Sequence, residues 1–93
     1  MAARSGLPGP RSGIAGSVLN GLVYVFGGED PGQTHGDVFV YDLAADAWST
    51  QTSMPTPRHG LAAFVVAGQI HVVGGGLSPG GGSDTSIHEI LTP

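Results

Sequence analysis

Short runs of apolar residues, separated by glycine-rich or polar turns, divide the chain into predicted β-strands. The runs are rich in β-branched and aromatic residues and are bounded by Gly, Asn and Asp, which favours strands over helices. They are nearly continuously apolar rather than alternating, which is typical of sheets covered on both faces. The predicted strands span residues 14–19, 22–26, 37–42, 47–51, 61–66, 69–73 and 84–89.

The turn residues support this assignment. Asn20-Gly21 separates the first two runs and is the strongest two-residue hairpin signal, because a type I′ turn needs positive φ at both central positions. Ala67-Gly68 stands at the same place between two later runs. Ser86 and Glu89 have the spacing of a helix capping box. We nevertheless expect a strand there, because the corresponding earlier segment is plainly strand-like.

The chain repeats itself when it is shifted by 47 residues without a gap. The matched positions include Pro8, Pro10, Arg11 and Gly13, which fall on Pro55, Pro57, Arg58 and Gly60. The glycine pair 27–28 falls on the pair 74–75, and Asp37 falls on Asp84. Four short strands in the 47-residue unit, of which the second copy holds three, are predicted to be covered on both faces. This pattern predicts an all-β fold of four-stranded antiparallel meanders, the arrangement of a propeller blade.

Together these residues resemble a kelch repeat. The first unit carries Gly27-Gly28, then Tyr41-Asp42, then Trp48, and Arg58 opens the next unit. The second unit repeats Gly74-Gly75 and has His88-Glu89 where the gapless alignment places Tyr-Asp. Kelch repeats form β-propellers, so the resemblance implies a partial kelch-type propeller. We expect the glycines, Tyr41, Asp42 and Trp48 to be structural, serving backbone geometry, turn formation and packing between blades.

The repeat also predicts the domain boundaries. Residues 1–6 are expected to form a disordered N-terminal tail, 7–53 the first blade, and 54–93 a second blade that lacks its outer strand. Propellers commonly close with about 4–8 blades, whereas this chain holds about one and three-quarters. We therefore expect further blades, supplied either by a longer chain or by homo-oligomerisation.

Composition excludes several classes of function. There is no cysteine and no lysine, so the chain has no disulfide, thiolate nucleophile, lysine Schiff base or P-loop. The formal net charge of −4 has the wrong sign for binding a phosphate backbone, so no nucleic acid is expected. No apolar run is long enough to span a membrane, and no signal peptide is visible, which makes the cytoplasm the default location.

The sequence gives no indication of catalysis. The four histidines (His35, His59, His71 and His88) lack metal-ligand spacing, so no metal site is expected. There is no Gly-x-Ser-x-Gly nucleophile elbow, and no cofactor is predicted. We therefore expect the chain not to be an enzyme.

Neighbouring strands of an antiparallel blade run in opposite directions, so every second loop lies at the same end, and this predicts one candidate binding face. The loops 29–36 and 77–83 should lie at the end of the blades where each first strand begins. The candidate partner-binding residues at this end are Arg11, Ser12, Glu29, Asp30, His35, Arg58 and His59. By the kelch resemblance, the strand-opening arginines Arg11 and Arg58 would face a ligand and could clamp a carboxylate. The alternative is that each arginine bonds a neighbouring loop of the chain itself.

The resemblance implies an interaction module that binds a protein or peptide partner without catalysis. The sequence leaves two alternative functions open. One is a kelch-like propeller enzyme acting on carbohydrate, of the mutarotase type, which needs only placed Arg, His and acidic side chains. The other is a purely structural pair of blades that supports a site built elsewhere.

Overall fold

The computed structural model describes residues 1–93 and contains nine β-strands and no helix. The strands are β1 (Ala15–Leu19), β2 (Leu22–Phe26), β3 (Glu29–Asp30), β4 (Gln33–Thr34), β5 (Val38–Asp42), β6 (Ala47–Gln51), β7 (Ala62–Val66), β8 (Gln69–Val73) and β9 (His88–Leu91). The all-β prediction is therefore confirmed, and the segment with the capping-box spacing ends in a strand. No helix is present that could cross a membrane.

The first blade, blade 1, is a four-stranded antiparallel meander with the order β1-β2-β5-β6. Asn20 (φ 55°) and Gly21 (φ 78°) both adopt positive φ in the turn that joins β1 to β2, as a type I′ hairpin requires. The pairing aligns Leu19 with Leu22. The predicted bounds of β2 and β6 agree with the structure, and β1 and β5 each begin one residue later than predicted.

The second blade, blade 2, has three antiparallel strands in the order β7-β8-β9. Its third strand corrects the sequence prediction, because β9 spans His88–Leu91 rather than 84–89. In blade 1 Phe26 pairs with Val38, whereas in blade 2 the corresponding Val73 pairs with His88. The loop of blade 2 is therefore three residues longer than the gapless repeat assumes. The structural counterpart of Tyr41 is Leu91, not His88.

The two blades pack face to face and share one hydrophobic core. The core side chains come from both sheets and from the segment that connects them: Ala15, Tyr24, Phe26, Val38, Val40, Met54, Leu61, Ile70 and Val72. At the innermost strands the backbones approach closely, and the Gly60 N–H donates to the Gly13 carbonyl oxygen at 2.6 Å. A Cβ at Gly27 would overlap the Arg58 carbonyl oxygen. This glycine is therefore needed for the close approach of the blades.

The opposite face of blade 1 carries an aromatic cluster. The ring centroids of Tyr41 and Trp48 lie 4.9 Å apart, and Phe39 meets Trp48 edge-on. Asp42 accepts from the N–H of Ala44 at 3.0 Å, which stabilises the turn after β5 as expected from the sequence.

The N-terminal segment contacts this aromatic cluster. Residues 1–6, expected to be a disordered tail, form no strand or helix, yet the Trp48 Nε1–H donates to the Ser5 carbonyl oxygen at 3.0 Å. Arg4 donates to the Tyr41 hydroxyl, and Tyr41 donates to Asp46 at 2.5 Å. The Tyr41 hydroxyl and then the Ser5 N–H lower the pKa of Asp46 below its usual value. The structure thus gives this segment defined hydrogen-bond partners on blade 1.

Candidate partner-binding face

A short hairpin forms the first half of the candidate face. β3 and β4 pair antiparallel, with Glu29 opposite Thr34. The Asp30 carboxylate closes the turn by accepting from the N–H of Gly32 at 2.8 Å and of Gln33 at 3.1 Å. Its second oxygen lies 2.8 Å from His35 Nε2. The Gly32 N–H, followed by the His35 ring, lowers the pKa of Asp30, so this exposed carboxylate is charged at neutral pH.

Glu29 and His59 join this hairpin to the loop 77–83 of blade 2. The Glu29 carboxylate lies 2.7 Å from His59 Nδ1 and accepts from the Gly80 N–H at 2.9 Å. His59 Nε2 lies 2.8 Å from the Ser78 carbonyl oxygen. These contacts hold the rims of the two blades together as one surface, which we call the loop face (residues 12, 29–36, 59 and 77–83).

Arg11 lies beside the loop face, but its charge is paired within the chain. Its Nη2 donates to the Asp37 carboxylate at 2.7 Å, and its guanidinium lies over the Phe39 ring, 5.7 Å from the centroid. The side chain is 13% exposed, and its Nε–H is buried without a hydrogen-bond acceptor. Arg11 therefore also serves to cover the outer face of blade 1.

Arg58 is not at the surface at all. Its side chain is 0% exposed and lies between the blades. The guanidinium donates to the carbonyl oxygens of Gly74 at 3.1 Å and Ile87 at 2.9 Å, and to the Glu89 carboxylate at 2.8 Å. The structure thus agrees with the alternative in which this arginine bonds the chain itself. It does not place Arg58 where a partner could reach it.

The remaining predicted residues do come together. Ser12 forms a two-bond backbone pair with Glu29, with N···O distances of 3.0 and 2.8 Å. A shallow depression of about 310 Å³ opens on the loop face, lined by Ser12, Glu29, Asp30, Pro31, Pro79 and Gly80. Ser12, Glu29, Asp30 and His59 therefore belong to one surface, with Arg11 at its border. His35, which was also predicted to contact a partner, is buried beneath this surface at 8% exposure. No group of three or more His, Asp or Glu side chains is arranged to hold a metal ion.

The sequence did not reveal the acidic partners of the two arginines. The sequence marked Asp37 only because Asp84 matches it in the repeat, and the gapless alignment placed Glu89 at the position of Asp42. The insertion in blade 2 moves Glu89 to the position of Phe39, facing Arg58. The one available signal was the glycine run at 80–82, which marks a loop tip able to accept extra residues.

Comparison with known proteins agrees with this description. Residues 10–55 match the model of the Kelch motif. The fold is similar to the solved structure of YjhT, with a TM-score of 0.72 and 30% sequence identity over 83% of this chain. The match covers 24% of the YjhT chain, and 90 chains of solved structures match in all. No curated protein matches the sequence.

The fold and the repeat together thus define the class of protein as a partial β-propeller built from antiparallel blades. Within that class, the match of residues 10–55 to the Kelch motif confirms the kelch resemblance seen in the sequence.

Proposed function

We propose that this chain is part of a kelch-type interaction module that binds a protein or peptide partner through the loop face. The observation that carries the proposal is the connection of the two rims through Glu29 and His59. A surface that is already ordered loses little conformational freedom on binding, which favours affinity. Loops held by a rigid β scaffold are also where binding residues concentrate.

The charge of the loop face favours a basic partner. Arg58 is buried and Arg11 is paired with Asp37, so neither offers a free guanidinium to an acidic ligand. The Asp30 side chain, by contrast, is 39% exposed and borders the depression. A lysine or arginine of an extended segment could therefore form a charge-assisted hydrogen bond with Asp30.

Peptide selection on the immobilised chain tests this proposal. We expect random peptide libraries to yield ligands enriched in Lys and Arg. Asp30→Asn keeps an acceptor for the turn N–H groups but removes the charge, so it should weaken these ligands about tenfold or more. Asp42→Asn is the matched control, because Asp42 also closes a turn but lies at the opposite end of blade 1. Equal affinity for both variants, measured by fluorescence anisotropy, would contradict the proposal.

The carbohydrate-enzyme alternative has one supporting observation, the two carboxylate–imidazole pairs on the same face. Acid–base catalysis needs a ring nitrogen that can exchange a proton with substrate. Both nitrogens of His59 are engaged, one with Glu29 and one with the Ser78 carbonyl oxygen. The paired His59 is better suited to holding two loops together than to proton transfer, which favours the interaction module.

A further inference from the structure

The turn between β1 and β2 holds the single asparagine of the chain. Asn20 is followed by Gly21, and both residues are exposed. The corresponding turn of blade 2 is formed by Ala67 and Gly68. Their φ values of 50° and 77° are close to the 55° and 78° of Asn20 and Gly21, so the two turns share one backbone conformation. The side-chain amide of Asn20 is therefore not required to form the turn.

An asparagine that precedes a glycine is able to react with its own backbone. The Gly21 nitrogen, after losing its proton to water or hydroxide, attacks the side-chain carbonyl carbon of Asn20. The new C–N bond closes a five-membered succinimide ring, and the side-chain nitrogen takes up a proton and leaves as ammonia. Water then opens the ring at either of its carbonyl carbons, which yields aspartate or isoaspartate. Water is the only co-reactant, so the reaction needs no enzyme or cofactor.

The surroundings of the turn leave this reaction unobstructed. The pairing of Leu19 with Leu22 closes the hairpin, so the strand ladder ends before the Gly21 N–H. A Cβ built on Gly21 would meet no atom within 4 Å, which shows that the space around the turn is open. Ring closure requires Asn20 to rotate out of its turn conformation. Exposed loops open locally at a small cost in free energy, so the folded turn slows the reaction without preventing it.

We propose that Asn20-Gly21 is a site of spontaneous covalent modification, at which the first hairpin of blade 1 converts to aspartate and isoaspartate forms. Blade 2 does not react at the corresponding turn, because Ala67 has no side-chain amide. The β1–β2 turn lies at the end of the blade opposite the loop face, so this proposal is independent of the function proposed above.

The two products differ in their effect on blade 1. Aspartate adds a negative charge but keeps a two-residue turn. Isoaspartate also adds one atom to the main chain, because the backbone then passes through the former side chain. The register of a hairpin is fixed by its turn type and loop length, so isoaspartate disturbs the pairing of Leu19 with Leu22. Both leucines pack against the hydrophobic core, so this product destabilises blade 1.

Incubation of the full 93-residue chain in buffer at physiological temperature tests the proposal. Mass spectrometry should show the conversion of one amide to an acid, and fragmentation should locate it at Asn20. The rate should rise with pH, because the attacking nitrogen must lose its proton. In concentrated urea the rate should be about tenfold higher or more, since unfolding removes the opening step.

Three variants check the assignment. Asn20→Ala copies the turn of blade 2 and should abolish the conversion. Ala67→Asn is the matched opposite, because it gives blade 2 an Asn-Gly turn of the same conformation and should add a second conversion at a similar rate. Ion exchange separates the modified chains, and the isoaspartate fraction should unfold at lower urea than Asn20→Asp, which carries the added charge without the additional backbone atom.

Three results would overturn the proposal. The first is a native chain that stays unmodified after the sample in urea has converted completely, which would mean that the turn protects Asn20. The second is a conversion that persists in Asn20→Ala, which would place the reaction at another residue. The third is an equal urea midpoint for the isoaspartate fraction and Asn20→Asp, which would show that the hairpin tolerates the additional atom.

Discussion

Arg58→Ala should destabilise the chain far more than the same substitution at Arg11, although the two residues occupy the same position in the repeat. Arg58 is fully buried and its guanidinium donates to two carbonyl oxygens and to Glu89. Alanine would leave the Glu89 carboxylate, which is only 19% exposed, without its counter-ion. It would also leave the Gly74 and Ile87 carbonyl oxygens short of a donor.

The magnitude follows from this burial. Removing one partner of a buried ion pair costs about 3–5 kcal/mol, because the other charge remains desolvated. A domain of this size has a free energy of unfolding of roughly 5–15 kcal/mol, so the loss is a large share of the total. The Arg11 pair is different, since the Asp37 side chain is 44% exposed. An ion pair with an exposed partner contributes about 1 kcal/mol at most, and a cation–π contact contributes about 0.5–2 kcal/mol.

Urea denaturation followed by circular dichroism measures both variants. We expect the urea midpoint of Arg58→Ala to fall well below that of Arg11→Ala. The midpoint of Arg58→Lys should lie between them, because the single ammonium group of lysine cannot reach all the acceptors that the planar, forked guanidinium reaches. Glu89→Gln should cost less than Arg58→Ala, since it leaves no unpaired buried anion. Equal midpoints for Arg58→Ala and Arg11→Ala would refute the assignment of Arg58 as a buried structural cation.

Two further predictions concern backbone geometry and pH. Gly75→Ala should cost about 3 kcal/mol of unfolding free energy and Gly68→Ala about 1, measured by urea denaturation. Both glycines have positive φ, but of the two only Gly75 would bring a Cβ into overlap with a backbone atom, the His59 carbonyl oxygen. Equal losses of unfolding free energy for the two variants would contradict this reason. The pKa of Asp46 is lowered by Tyr41 and Ser5, so its stabilising contribution is present above the unfolded value of about 3.9 and is lost as pH falls through the lower folded value. Trp48 fluorescence should therefore change below about pH 4, and Asp46→Asn should remove that step; an unchanged titration would count against the contact.

Much of the fold could be predicted because local signals and the repeat agree. The apolar run 22–26, its Asn20-Gly21 turn and the following glycine pair each indicate the same hairpin. Blade 1 therefore follows the sequence nearly residue by residue. The prediction that loops 29–36 and 77–83 share one end of the blades also agrees with the structure, because the alternating direction of the strands decides which loops share an end.

The environment of the arginines could not be predicted. Arg11 and Arg58 occupy the same repeat position, yet one stacks on Phe39 and the other pairs with Glu89. Which partner each finds depends on the register of the third strand. A gapless alignment cannot detect a three-residue insertion in a loop whose residues are mostly glycine and serine, since no side chain there fixes the alignment.

The longer loop of blade 2 limits how this repeat can vary in evolution. Side chains alternate between the two faces of a strand, so a one-residue slip of β9 would turn Glu89 away from Arg58 and bring His88 or Ile90 towards it. A change in loop length is therefore neutral only if it is absorbed at the glycine-rich tip, with the pairing of Val73 and His88 kept. The tip can change in length and composition as long as a backbone N–H still reaches Glu29, whereas the base of the same loop is fixed by an ion pair buried between the blades.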